Sequence, residues 1–209
     1  VILIDEYDKP LLQNLHDEEM QNRFRNMLKP FYGVLKTMDR AIRFALLTGV
    51  TKFGKVSVFS DLNNLDDISM REPYAAICGI TETELRTHFD EDIHTLASAL
   101  ERTYEEARSL LRKRYDGYHF VAGGPGIYNP FSLLNTFKYM RLSDYWFETG
   151  TPTYLVELLK RTNYDLYDMA NTETDADVLN SIDSASNNPI PVIYQSGYLT
   201  IKDYEPEFK

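Results

Sequence analysis

Two acidic residues near the start of the chain could bind a metal ion and activate water. Asp5 and Glu6 directly follow residues 1–4, a run of four apolar side chains. Such a run is typical of a strand buried on both faces of a parallel sheet, and open sheets of this kind bind ligands at their carboxyl edge. At that edge we expect Asp5 to ligate Mg²⁺ and Glu6 to orient or deprotonate a water molecule. A purely structural strand that runs into an acidic turn gives the same pattern.

A second apolar run should bring another polar residue to the same place. Residues 42–47 again indicate a short buried strand, and this run ends at Thr48. Between the two runs, residues 18–38 carry apolar side chains at helical spacing, and Pro30 predicts a kink or a division into two helices. A strand, a helix and a second strand predict neighbouring parallel strands. Thr48 would then lie near Asp5.

Residues 49–56 (GVTKFGKV) come close to a phosphate-binding loop. They fit G-x-x-x-x-G-K-[ST] at every position but the last, where a hydroxyl would ligate Mg²⁺. The stretch that follows does not favour the helix whose N-terminus should receive the phosphates. We therefore interpret the segment as the end of a strand followed by its loop. Lys52 in this loop is a candidate for phosphate contact, weaker than Asp5, Glu6 and Thr48 as site residues.

The rest of the chain is expected to be mainly helical. Four helix starts carry capping signals: Thr81 with Glu84, Thr103 with Glu106, Asn129 with Pro130, and Thr151 with Pro152. The glycines within residues 115–128 predict a turn-rich link. A short helix over residues 190–195 and a strand over residues 198–203 would suit a winged-helix-like unit.

Composition bounds the class of protein. The 209 residues are 43% hydrophobic and 26% charged, as in ordinary soluble proteins. The net charge of −10 argues against a broad basic surface that would bind the phosphates of a nucleic acid. Cys78 is the single cysteine, which excludes an intrachain disulfide and fits a reducing cytoplasm. No apolar run reaches membrane-spanning length. The four histidines lack the spacing of a zinc site.

The opening of the chain, VILIDEYDKP, resembles the AAA-ATPase-like family, whose members often carry a PD-(D/E)XK nuclease-like domain further along the chain. Five later stretches also resemble segments of that family and follow one another in the same order along the chain. They are residues 48–65 (TGVTKFGKVSVFSDLNNL), 115–120 (YDGYHF), 128–135 (YNPFSLLN), 145–152 (YWFETGTP) and 194–201 (YQSGYLTI). His119 is a candidate only through the family resemblance of its YDGYHF stretch, and an aromatic turn packed on the core is the alternative interpretation.

The resemblance implies an α/β fold, namely a partial P-loop NTPase with an AAA+-like parallel-sheet core. Residues 1–80 would be the second half of that core, and residues 81–209 a helical lid with a C-terminal helical or winged-helix-like region. Asp5 and Glu6 would be the Walker B metal ligand and catalytic base, and Thr48 the sensor 1 residue near the γ-phosphate. The implied cofactors are ATP and Mg²⁺. Because the chain begins inside a core-like strand, we expect the true phosphate loop upstream of Val1.

Three functions stay open at this stage. The first is an ATP-hydrolysing AAA+-like switch, of which this chain is a fragment without Walker A. The second is a non-hydrolysing protein-interaction module. The third is the regulatory part of a nuclease-containing protein that meets nucleic acid through a separate downstream domain. We expect a cytoplasmic protein with ATP and a protein as partners and no membrane contact, and the 209-residue chain alone should not bind or hydrolyse ATP.

Overall fold

The computed structural model describes residues 1–14, 17–52, 59, 64–148, 153–169, 172–180 and 188–205. The chain forms two compact units. Unit 1 comprises Val1–Asp67 and Thr151–Leu199, and unit 2 comprises Ile68–Gly150 and Thr200–Lys209. The predicted division into a nucleotide-binding core over residues 1–80 and a helical region over residues 81–209 stays a prediction.

The described elements are short strands and mostly short helices. In chain order they are β1 (Ile2–Ile4), α1 (Lys9–Leu12), α2 (Glu18–Thr37), β2 (Ala45–Leu47), α3 (Glu82–His88), α4 (Asp90–Ala99), α5 (Tyr104–Tyr115), α6 (Pro130–Tyr139), α7 (Tyr145–Glu148), α8 (Thr153–Thr162), α9 (Leu166–Met169), α10 (Ala176–Leu179) and α11 (Ile190–Gln195). Single 3₁₀ turns lie at Asp39–Ala41 and Glu72–Tyr74. The described part of the chain is thus a mixed α/β structure. None of its helices is long and apolar enough to cross a membrane.

The sheet of unit 1 pairs β1 with β2 in parallel, with Ile2 opposite Ala45 and Ile4 opposite Leu47. The predicted parallel pairing of the two apolar runs is therefore confirmed. Parallel strands bring their carboxyl ends to one edge. That edge carries Asp5 after β1 and Thr48 after β2.

Burial of β1 on both faces was a wrong expectation. Ile2 and Ile4 pack against a core cluster, whereas Leu3 is 69% exposed. Successive side chains of a strand point to opposite faces, so in the described structure one face of β1 is covered and the other is open. The core cluster consists of Leu11, Leu12, Tyr32, Leu35, Leu158 and Val192.

Helix α2 is continuous from Glu18 to Thr37 with Pro30 inside it, so of the two predicted alternatives the division into two helices was wrong and the kink stays a prediction. Its first turn is capped by Asp17, whose carboxylate accepts a hydrogen bond from the Met20 amide at 2.9 Å. Four apolar side chains also lie at helical spacing along the exposed side of this helix. These side chains are 51–64% exposed, and they are Met27, Phe31, Val34 and Met38. We call this set the α2 outer stripe.

Unit 2 is built around α3 to α6. Both predicted capping boxes are confirmed, with Thr81 paired to Glu84 at the start of α3 and Thr103 paired to Glu106 at the start of α5. Asn129 caps α6 as expected by accepting a hydrogen bond from the Ser132 amide. The helices enclose a core of buried side chains: Leu85, Ile93, Leu96, Ala97, Ala107, Leu111, Tyr115, Tyr128, Leu133 and Phe137. The predicted cap at Thr151 and Pro152 lies outside the described residues.

The C-terminal elements match the prediction in part. The short helix is present as α11, but residues 198–203 form no strand, so that expectation was wrong. Tyr198 donates its amide hydrogen bond back to the Ile193 carbonyl, which ends the helix instead of starting a ladder. A winged-helix-like unit therefore has no support in the described residues.

One buried hydroxyl ties three segments of unit 2 together. The Tyr115 hydroxyl donates to the Ser143 carbonyl at 2.9 Å and accepts from the Thr136 hydroxyl at 2.8 Å and the Ser143 amide at 3.0 Å. Replacing Tyr115 by Phe keeps the ring but leaves the fully buried Thr136 hydroxyl without its acceptor. We expect a loss of about 1–3 kcal/mol in the free energy of unfolding, measured by urea denaturation.

A matched control is Tyr139→Phe. Its ring is more than half exposed and stacks on Tyr145, and the same atom is removed. That variant should change stability by less than about 0.5 kcal/mol. Equal effects of the two substitutions would contradict the structural role of the Tyr115 hydroxyl.

Candidate functional site

Asp5 and Thr48 meet at the carboxyl edge of the sheet. The Thr48 hydroxyl donates to Asp5 Oδ1 at 2.5 Å. The two strand ends are also joined through their backbones, because the Thr48 amide donates to the Ile4 carbonyl at 2.8 Å and the Tyr7 amide donates to the Thr48 carbonyl at 2.9 Å. The proximity of Thr48 and Asp5 that the sequence predicted is therefore present.

Glu6 has a left-handed backbone conformation, with φ at 50°. This conformation is unfavourable for a residue with a side chain and costs about 1–3 kcal/mol. Three other described non-glycine residues share it, but each of them follows the end of a helix, where a left-handed residue is common: Glu101, Met140 and Asn163. Glu6 follows a strand instead. Strain at such a place is typical of functional sites.

The Glu6 carboxylate is held at one oxygen. Lys9 Nζ lies 2.6 Å from Glu6 Oε2, and both side chains are about half exposed. The hydrogen bond to Glu6, with the charge of that carboxylate, raises the pKa of Lys9 and keeps its ammonium protonated. No described residue donates a hydrogen bond to Glu6 Oε1. That oxygen is available to a water molecule.

Sequence reasoning missed a third acidic residue in this segment. Asp8 is fully buried, and its carboxylate accepts hydrogen bonds from the loop after β2. The donors are the Val50 amide at 3.1 Å, the Thr51 amide at 2.6 Å and the Thr51 hydroxyl at 2.7 Å. The Asp8 carboxylate thus connects the loop after β1 to the loop after β2.

Tyr7 and Gly49 complete this connection. The Tyr7 hydroxyl donates to the Thr51 carbonyl at 3.1 Å, and its ring lies 4.7 Å from the ring of Phe59. Burial, reinforced by the nearby charge of Asp8, raises the pKa of Tyr7 far above its ordinary value, so the hydroxyl stays a donor. Gly49 packs so closely that an added Cβ would lie 2.6 Å from Asp8 Oδ1 and 2.7 Å from Tyr7 Cε1. The glycine makes this close approach possible.

Lys52 is engaged by other side chains of unit 1. Its ammonium forms an ion pair with Asp67 and lies 3.1 Å from Asn180 Oδ1. Its backbone amide donates to Gln195 Oε1 at 2.6 Å. These contacts anchor the loop to α11 and to the end of α10. A phosphate contact by Lys52 would have to compete with Asp67, and that role stays a prediction.

The chemistry of the donor set suits Mg²⁺. Asp5 is exposed, its Oδ1 accepts from Thr48 and from the Glu6 amide, and no described residue donates to its Oδ2. Mg²⁺ prefers hard oxygen ligands and commonly takes one or two carboxylates, with substrate phosphates and waters completing its shell. The described residues contain no group of three or more His, Cys, Asp or Glu that could hold a metal by itself. Asp5 would therefore supply only part of the ligand shell of a bound Mg²⁺.

Two other sequence candidates have different outcomes. The His119 ring nitrogen Nδ1 lies 3.0 Å from the Gly124 carbonyl, and its amide donates to the Thr200 hydroxyl at 2.7 Å. His119 thus holds the glycine-rich turn of unit 2, and a chemical role for it stays a prediction. The near-match to a phosphate loop over residues 49–56 lies partly outside the described residues, since 53–58 are not among them.

The chain is similar to a protein family over its first residues and to a curated protein over most of its length. Residues 1–59 match the profile of the AAA-ATPase-like family, described as a predicted AAA-ATPase. An uncharacterized protein in the vnfD 5′ region of Azotobacter chroococcum mcd 1 is 40% identical over 201 residues, covering 96% of this chain and 37% of the relative. The chain thus spans little more than a third of that relative's length. No solved structure matches. The matched residues 1–59 include Asp5, Glu6, Asp8 and Thr48, so the candidate site lies within the part that is similar to the AAA-ATPase-like family.

Proposed function

We propose that this chain is the Walker B half of an AAA+-like domain that binds and hydrolyses ATP, within a longer protein that supplies the phosphate loop. The observation that carries the proposal is the hydrogen bond of Thr48 to Asp5 beside the strained Glu6, at the carboxyl edge of two parallel strands. The similarity of residues 1–59 to a predicted AAA-ATPase family supports it.

Each residue has a role that its surroundings allow. Asp5 would hold Mg²⁺ through Oδ2, while Thr48 keeps the other carboxylate oxygen in place. When bound, Mg²⁺ would neutralise charge on the phosphates. Glu6 would accept a proton from the attacking water through Oε1, while Lys9 holds Oε2 and fixes the orientation of the carboxylate. The water oxygen would then bond to the γ-phosphorus as the bond to ADP breaks.

Thr48 would act as a sensor. Its hydroxyl already donates to the carboxylate that would ligate the metal, so a change at the phosphates can reach β2 through one hydrogen bond. Because the Thr48 backbone is bonded to both Ile4 and Tyr7, that change would be passed to both strand ends.

The experiment compares the full-length protein with the isolated 209-residue chain. We expect the full-length protein to bind Mg-ATP and to release phosphate, measured by titration calorimetry and by a phosphate assay. We expect the isolated chain to show no measurable binding, because backbone N–H groups and a lysine on a phosphate loop supply most of the attraction for a triphosphate. Circular dichroism controls for its folding.

The outcomes separate the two interpretations of residues 49–56. Binding by the isolated chain that is abolished by Lys55→Ala would identify these residues as a phosphate loop. A full-length protein that neither binds nor hydrolyses ATP would contradict the proposed function.

A protein-interaction module that does not hydrolyse ATP is the second candidate. The α2 outer stripe favours it, because apolar side chains at helical spacing on a surface are typical of protein contacts. A protein partner is therefore a further proposal, as are a cytoplasmic location and a downstream nuclease-like domain that would meet nucleic acid. Absence of turnover together with retained partner binding would favour this candidate.

A further inference from the structure

Asp8 stands out because it sits at a helix start and does not cap that helix. It precedes α1 in the N-cap position, where an aspartate side chain ordinarily accepts hydrogen bonds from the first turn. No such bond is present, and its carboxylate is directed to Val50 and Thr51. A local role in starting α1 therefore does not account for the side chain.

The surroundings of Asp8 require an acceptor with two oxygens. Oδ1 accepts from the Val50 amide, and Oδ2 accepts from both the amide and the hydroxyl of Thr51. All three donors point at a fully buried group, where an unsatisfied donor or a lone charge is strongly unfavourable. An asparagine has one carbonyl oxygen, so its amide nitrogen would face a donor.

The loop held by Asp8 begins at the proposed sensor. Thr48 is two residues before Val50, and Gly49 between them is packed directly against Asp8 and Tyr7. The loop therefore has little freedom to withdraw Thr48 from Asp5 while Asp8 keeps its bonds. In the described structure the Asp8 side chain is hydrogen-bonded to Val50 and Thr51 and not to Thr48 or Asp5, so it would act through the loop.

We propose that Asp8 is a positioning residue of the site: by binding the Val50 and Thr51 amides it keeps Thr48 bonded to Asp5. This inference rests on the proposed ATP hydrolysis. Because the phosphate loop would lie elsewhere, loss of Asp8 should affect turnover more than nucleotide affinity.

The test uses the full-length protein and compares Asp8→Asn with Asp17→Asn. We expect Asp8→Asn to lower kcat about tenfold, which is about 1.4 kcal/mol, with little change in KM for ATP. Hydrogen exchange at the Val50 and Thr51 amides should become faster. Asp17→Asn removes one charge from the same unit at a helix cap where Asn serves as well as Asp. This control should leave kcat, KM and the exchange of the Val50 and Thr51 amides unchanged.

Thr51→Val gives a milder second variant, since it removes one of the three donors and keeps both amides. We expect a smaller fall in kcat in the same direction. Unchanged kcat and unchanged amide exchange in a folded Asp8→Asn protein would overturn the inference. If Asp8→Asn does not fold, an unchanged kcat in Thr51→Val would overturn it, because one of the three bonds that hold the loop to Asp8 would then be lost without effect.

Failure of the proposed function would look different. A wild-type protein without ATP turnover or Mg-ATP binding would overturn the proposed function and, with it, a role for Asp8 in hydrolysis. Hydrogen exchange needs no nucleotide, so the anchoring of Val50 and Thr51 by Asp8 would still be decided by that measurement.

Discussion

Glu6→Gln in the full-length protein should slow ATP hydrolysis by about 10²- to 10⁴-fold while Mg-ATP binding stays close to that of the wild type. Gln has the shape of Glu but cannot accept the proton of the attacking water. The metal ligand Asp5 and its bond to Thr48 remain, so binding of the metal and nucleotide should persist. Single-turnover phosphate release gives the rate, and titration calorimetry gives the affinity.

Glu18→Gln is the matched control for this variant. Glu18 is an exposed carboxylate in the first turn of α2, and its replacement removes the same charge from the same unit. Its effect on turnover should be within about twofold, because surface substitutions of this kind change free energies by less than about 0.5 kcal/mol. Unchanged turnover in Glu6→Gln would exclude Glu6 as the general base.

The second large effect is expected from adding one methyl group at Gly49. In Gly49→Ala the new Cβ would lie 2.6 Å from Asp8 Oδ1 and 2.7 Å from Tyr7 Cε1, well inside van der Waals contact. Neither neighbour can yield easily, because Asp8 is held by Val50 and Thr51 and Tyr7 is hydrogen-bonded to Thr51. We expect a loss of about 1–3 kcal/mol in the free energy of unfolding, measured by urea denaturation.

Gly33→Ala is the contrasting control within the same unit. Gly33 lies inside α2, and an added Cβ there would have no atom within 4 Å. Alanine loses less conformational entropy than glycine on entering a helix, so this variant should be more stable by about 0.5–1 kcal/mol. Equal and small effects at Gly49 and Gly33 would show that the loop after β2 relaxes freely, contrary to the packing described for it.

Parts of the fold that depend on local patterns could be predicted from the sequence. The capping boxes of α3 and α5 were predictable because they depend on a Thr and a Glu three residues apart. The side chain of each accepts a hydrogen bond from the backbone amide of the other within one turn. The pairing of β1 with β2 followed from two apolar runs joined by a helical segment. The same pairing placed Thr48 beside Asp5.

What depends on distant contacts could not be predicted. The donors to Asp8 are 42 and 43 residues further along the chain, and an aspartate just before a proline-containing helix resembles an ordinary cap. Four apolar residues in a row do not indicate which face of β1 is covered, so the exposure of Leu3 was missed. A strand was predicted over residues 198–203, but a strand needs a neighbour, and the described residues offer none there.

The interleaving of the two units along the chain has a consequence for the order of folding during synthesis. The core cluster of unit 2 lies between Leu85 and Phe137, so all of its members are available once that stretch has left the ribosome. The cluster of unit 1 joins Leu11 and Tyr32 to Leu158 and Val192. This cluster cannot close until Val192 has been synthesised, because non-local contacts form only after the intervening residues exist. Of the two described cores, the one that supports the strands of the candidate site is therefore completed later.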